Sequence, residues 1–178
     1  MNRQRNQRVR ARLAWRVLAA VSLAAAAQAA AGAPVPFDDL GPPEPAFDYS
    51  NIVSVRQGGS GNAVSLDQAG RNGALLGQAG YGNSIVARQI GAQNWVVASQ
   101  AGSGNTLNAT QRGTANTLVV QQNGAGNSVD ATQNGTSLSA RVTQNGSNNS
   151  VNLVQGGSNT GIQVIQSGNG ARATVLTH

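Results

Sequence analysis

The side chains that recur at fixed spacing in this chain are amides. Gln stands at Gln57, Gln68, Gln78, Gln89, Gln100, Gln111, Gln122, Gln133, Gln144, Gln155 and Gln166, eleven residues apart except between Gln68 and Gln78, where the interval is ten. Six places before the Gln stands Asn, at Asn51, Asn62, Asn72, Asn83, Asn94, Asn105, Asn116, Asn127 and Asn149, with Leu138 and Thr160 as the exceptions. A primary amide donates and accepts hydrogen bonds at once. At a position that repeats from layer to layer, each amide can donate to one neighbour and accept from the other, forming the ladder that reinforces stacked β-strands. Buried and unpaired, the same group would cost about 1–3 kcal/mol. The chemistry on offer is self-assembly.

Residues suited to bond-making are sparse. His178 is the only His, and it is terminal, so neither a metal cluster nor a general base is expected. Asp67 and Asp130 are too far apart in repeat number to form a catalytic pair. The Gly-x-Gly strings have no Lys beside them and read as turns, not phosphate loops. Asp is not repeated in every turn, as a glycine-rich calcium solenoid would require. The expectation is a non-enzyme with no cofactor and no metal.

The elements that must position the amides are strands. In NTLNATQRG, residues 105–113, Asn105, Leu107, Ala109 and Gln111 alternate with Thr106, Asn108 and Thr110, a period of two. The positions four and two before each Gln, with their equivalents Ala173 and Val175 in the last unit, are always Ala, Val, Ile or Leu, so one face is dry and the other mostly wet. Gly follows two places after every Gln, at Gly59, Gly70, Gly80, Gly91, Gly102, Gly113, Gly124, Gly135, Gly146, Gly157 and Gly168, and marks a turn whose backbone angle other residues resist. Because Asn72 keeps its distance to Gln78, the residue missing from the ten-residue interval belongs to the turn around Gly70.

The expected fold is all-β: a β-solenoid of six 22-residue strand-turn-strand coils, with twelve short strands in two stacked parallel sheets. Rungs ~4.8 Å apart and sheets ~10 Å apart leave room inside for Ala against Val or Leu but not for aromatics, and six rises give a length of about 29 Å. The only aromatics within the repeats are Tyr81 and Trp95, and Trp95 falls on an outward position. Arg56, Asp67, Arg88, Asp130 and Arg141 also fall outward, as candidate gatekeepers that add charge to aggregation-prone strands.

The 178 residues carry a formal charge of +6, but it is localised. Arg3, Arg5, Arg8, Arg10, Arg12 and Arg16 precede an apolar run, residues 17–27, and a small-residue exit with cleavage expected after Ala29, Ala31 or Ala33. Residues 1–33 therefore read as a secretory signal peptide. Residues 34–50 hold every proline and read as a Pro- and Asp-rich extended segment, with Phe37, Phe47 and Tyr49 as handholds for a secretion pore. Residues 51–178 form the repeat domain. Beyond residue 33 the six Arg balance the six acidic residues, so the basic balance gives no case for a nucleic-acid partner. Without Cys there is no disulfide framework, and backbone pairing must hold the domain.

The first repeat strand, residues 51–57, is a full consensus unit, and the last, residues 171–177, keeps its apolar face. Solenoids that stay monomeric need capped ends. Two bare edges predict polymerisation.

The half-repeat Q-x-G-x-x-N-x-x-x-x-x-Q, as from Gln100 through Asn105 to Gln111, resembles the curlin repeat, and the resemblance extends from residue 51 to about residue 170. It implies a structural subunit of curli, the extracellular functional amyloid fibre of Gram-negative biofilms, assembling with itself and with a second curlin subunit. It also implies an outer-membrane secretion pore and periplasmic chaperones as export partners. The chain departs from the family in having six coils instead of five, a Pro- and Asp-rich N-terminal segment, and Asn at the start of both strands of a coil. The last strand lacks the ladder Gln and carries Arg172, features of a minor nucleating subunit by the same resemblance. A monomeric ice- or polysaccharide-binding solenoid is the alternative of a different class, and outward positions that mix Thr with Arg, Asp, Leu and Trp fit it poorly.

Overall fold

The computed structural model describes the backbone of residues 16–22 and the whole of residues 51–178. The expected cleavage sites at residues 29–33 and the Pro- and Asp-rich segment 34–50 lie outside the described residues.

Among the described residues every regular element is a strand. After β1 (Arg16–Ser22) come β2 (Ile52–Ser60), β3 (Ala63–Tyr81), β4 (Ser84–Ser103), β5 (Thr106–Thr114), β6 (Thr117–Ala125), β7 (Ser128–Thr136), β8 (Ser139–Ser147), β9 (Ser150–Ser158), β10 (Gly161–Asn169) and β11 (Arg172–Thr177). Within the repeats each eleven-residue unit pairs in parallel with the unit two away, never with the unit adjacent to it in sequence. Gln89 thus lies beside Gln111, and Gln111 beside Gln133. One stack runs β2, the second half of β3, the second half of β4, β6, β8 and β10. The other runs the first halves of β3 and β4, then β5, β7, β9 and β11. The result is a parallel β-solenoid of six coils.

The twelve expected strands appear as twelve rungs but ten elements, because β3 and β4 each continue through a corner into the opposite stack. At that corner Arg71 pairs with Ala92 while Asn72 pairs with Asn94, so Gln93 is the extra residue, and the shortening falls in the turn after Gly70. The other corners carry a residue in the left-handed region immediately before the Asn position: Gly61, Gly82, Gln93, Gly104, Ala115, Gly126, Ser137, Asn148, Asn159 and Gly170. This conformation turns the amide toward the rung below, as in Ala115 N–H to the Ala92 carbonyl at 3.0 Å and Gly126 N–H to the Ser103 carbonyl at 2.9 Å. The corner after Gly70 lacks such a residue and therefore stays extended.

The core is a narrow column between the two stacks. Leu66, Ile85, Leu107, Leu118 and Leu153 are fully buried, facing small partners such as Ala74, Ala87, Ala98, Ala109 and Ala131. Of the twenty-four apolar positions read from the sequence, Val53 in the first rung is the one left outside this core, 36% exposed.

The N-terminal end differs from expectation. β1 pairs antiparallel with the outer edge of residues 63–69, Arg16 opposite Ala69 and Ser22 opposite Ala63. The row of unpaired N–H and C=O groups on that rung is a template for any extended segment, and residues 16–22 supply one. Bare edges are expected at the first repeat strand, residues 51–57, and at the last, residues 171–177, and the occupied edge of residues 63–69 lies outside that expectation. The β2 edge has no strand beside it among the described residues, and the edge of residues 63–69 is occupied.

Candidate functional site

The corner angles and the two-residue alternation bring every ladder amide into the interior. Seventeen of the Asn and Gln positions named above, from Asn62 to Gln155, are 5% exposed or less, Gln166 is 6% exposed, and only Asn51 and Gln57 in the first rung are half-buried. Each Gln up to Gln144 donates from Nε2 to Oε1 of the Gln one coil further along. In one stack Gln57 reaches Gln78 at 2.7 Å, Gln78 reaches Gln100 at 2.9 Å, Gln100 reaches Gln122 at 2.8 Å, Gln122 reaches Gln144 at 3.0 Å and Gln144 reaches Gln166 at 2.8 Å. In the other, Gln68 reaches Gln89, which reaches Gln111 at 2.9 Å, then Gln133 at 2.8 Å and Gln155 at 2.8 Å. The second N–H of Nε2 is also used, as in Gln111 to the Trp95 carbonyl at 2.9 Å and Gln122 to the Thr106 carbonyl at 3.0 Å. No shorter or apolar side chain could make both bonds, which is why the position is Gln in every unit but the last.

The Asn ladder runs in the opposite sense. Asn105 Nδ2 donates to Asn83 Oδ1 at 3.0 Å, and Asn105 N–H donates to the same oxygen at 3.1 Å. The amide also closes its own turn on the Ala101 carbonyl at 3.2 Å and reaches the Gly124 carbonyl of the next rung at 3.0 Å. Leu138 interrupts one Asn row. Its backbone N–H still bonds Asn116 Oδ1 at 3.1 Å, but its side chain offers no acceptor, and the Thr160 hydroxyl in the next rung is buried without a partner.

The glycine two places after the Gln has both of the reasons a glycine can have. At Gly113 φ is +113°, and a Cβ there would collide with the Gly135 carbonyl of the next rung. The same contact recurs from Gly59 to Gly146, so the Gly column sets how closely the corners stack. Gly135 and Gly157 continue the column, and beyond Gly168 the space is open.

Family comparison now has a geometry to meet. The curlin associated repeat matches residues 113–146 and again residues 124–157, offset by one rung of the ladder. Residues 113–157 carry the curlin associated repeat. The same amide spacing and stacking run outside the matched curlin repeats, from Gln57 to Gln166. No curated protein and no solved structure matches the chain. The repeat and the solenoid together fit a structural subunit of the curli type.

The outward candidates divide. Arg88 Nε lies 3.4 Å from Asp67 Oδ2 on the rung below, and Asn108 Nδ2 donates to Asp130 Oδ1 at 2.7 Å, so both carboxylates are tied to a neighbouring rung. Arg56 and Arg141 stand exposed on the other stack. Trp95 is half-buried and lies over Gly73, where a Cβ would come within 2.6 Å of the indole ring. Sequence reading missed Gly73, whose absent side chain lets the indole lie flat, and also the left-handed position before each Asn. Glycine at half of those corners was the available signal for the second. Among the described residues no three His, Cys, Asp or Glu come together in a way that could hold a metal ion.

The chain's ends expose the ladder's polarity. In the first coil Gln57 Oε1 and Gln68 Oε1 are buried acceptors with no donor. At the far end Gln166 Nε2 donates to the Ser150 carbonyl at 3.1 Å and has no Gln above it. One end lacks donors and the other offers one.

Proposed function

We propose that this chain is a structural subunit of an extracellular, cell-surface-attached curli-like amyloid fibre, growing by end-to-end stacking of its coils and serving biofilm matrix and adhesion. The observation that carries the reading is the unbroken Gln row from Gln57 to Gln166, whose orphan acceptor at one end and spare donor at the other are one coil step from pairing. A translation by one coil places Gln166 of one copy beneath Gln57 of the next, as Gln144 lies beneath Gln166 within the chain. Burial without pairing costs about 1–3 kcal/mol per amide, so the end favours a second copy over remaining bare.

Export by way of a signal peptide at residues 1–33, an outer-membrane pore and periplasmic chaperones belongs to the same proposal. Removal of those residues would also free the edge that β1 covers. The family is one of fibre subunits and not of enzymes, which agrees with a site made of amides.

The test is assembly itself. The chain freed of residues 1–33 is expected to form fibres after a lag, with a ~4.8 Å reflection along the fibre axis. A protein that stays soluble for days at tens of micromolar overturns the proposal, and ice or glycan binding by that soluble form would replace it. The last rung, with Thr177 where the other rungs have Gln, favours a second reading as a minor subunit that nucleates another curlin. That role predicts acceleration of a partner's assembly at substoichiometric amounts.

A further inference from the structure

The two Gln rows do not end alike. One reaches the last rung of its stack at Gln166, but the other stops at Gln155, because the residue paired with Gln155 in β11 is Thr177. Gln155 Nε2, with no Gln to reach, turns to the Ser139 carbonyl at 3.2 Å and the Thr160 carbonyl at 3.3 Å. The Thr177 hydroxyl is buried with no partner. At the opposite end of the same stack Gln68 Oε1 is likewise buried with no donor, and the antiparallel pairing of β1 leaves it so.

Continuing the one-coil step across a joint between copies sets β10 against β2 and β11 against residues 63–68. Gln166 then faces Gln57, as at any internal rung. Thr177 faces Gln68, and its side chain is too short to continue a row of Gln amides. We propose that Thr177 makes the joint between copies the weakest step of the filament, laddered on one stack only, so that filaments break and shed subunits at joints and not within a chain. The inference rests on the head-to-tail fibre reading and names the residue that governs its self-interface.

The experiment compares the full chain with T177Q and T177V, each purified in denaturant and released from residues 1–33 by a protease site placed after Ala33. The whole buried core lies within residues 64–164, so these changes in the last rung leave it intact, which far-UV circular dichroism checks. T177Q restores both the bond from Gln155 and the donor to Gln68 of the next copy. The concentration left soluble at the plateau is expected to fall about tenfold or more, and filaments are expected to stay longer after equal shear. T177V removes the unpartnered hydroxyl without restoring the row and is expected to stay near the parent. Equal plateaux for T177Q and parent overturn the inference, as does T177V matching T177Q, which would trace the effect to the hydroxyl and not to the ladder. Failure of the parent to assemble at all overturns instead the fibre reading on which the inference rests.

Discussion

At the scale of single residues, a ladder amide is worth more in the middle of the chain than at its edge. Gln111 accepts from Gln89 and donates to Gln133 and to the Trp95 carbonyl, and the three Gln side chains are out of contact with water. Replacing it by Ala leaves a cavity and orphans two acceptors, each at about 1–3 kcal/mol. Q111A is expected to lose about 3–5 kcal/mol in urea unfolding of the unassembled chain. Q57A removes one bond in a half-buried rung and is expected to lose about 1 kcal/mol in the same measurement. The amide positions themselves were legible in the sequence, because donor and acceptor in one side chain, eleven residues apart at all but one step, admits few other meanings. The partners were not. That each Asn closes its own turn while crossing to two neighbouring rungs depends on corner angles that Gln93, Ala115, Ser137, Asn148 and Asn159 adopt without being glycine.

At the scale of the strand and its corner, the fold separates positions that tolerate change from those that do not. The corner after Gly70 is one residue short and the stacks remain in register across it. Inserting a Gly between Arg71 and Asn72 gives this corner the length of the others, and the thermal midpoint is expected to move by no more than a few degrees. One residue inserted between Val96 and Val97 shifts every later side chain in that rung to the opposite face, burying outward residues and exposing the core positions. That variant is expected to lose cooperative melting by circular dichroism. Strand period, apolar face, turn position and the site of the shortened interval were all readable from spacing. The fusion of strands through the corners was not, since it depends on hydrogen bonding that persists from Gly70 to Asn72. Nor was the pairing of β1, because the apolar run at residues 17–27 carries no period that specifies a partner strand.

At the scale of the molecule, the chain has two unlike ends, and the difference can be tested with one methyl group. Gly168 occupies the column in which every internal Cβ up to Gly146 would strike the next glycine carbonyl, yet above Gly168 there is open space. G168A is therefore expected to fold with only the strain of its φ of +97°, about 1–3 kcal/mol, and to fail to extend from that end when seeded onto parent fibres. G170A, at φ +72° with open space around it, is expected to extend normally by the same seeded assay. There is also a consequence for a filament of many copies. Aligned peptide units in a helix add their dipoles until the ends carry appreciable charge. Here the Gln side-chain carbonyls accept from the coil on the N-terminal side and the Asn side-chain carbonyls from the coil on the C-terminal side. Their dipoles oppose one another rung by rung, so lengthening the stack builds no comparable field along its axis, and a subunit arriving at a long filament meets the same electrostatics as one arriving at the first copy.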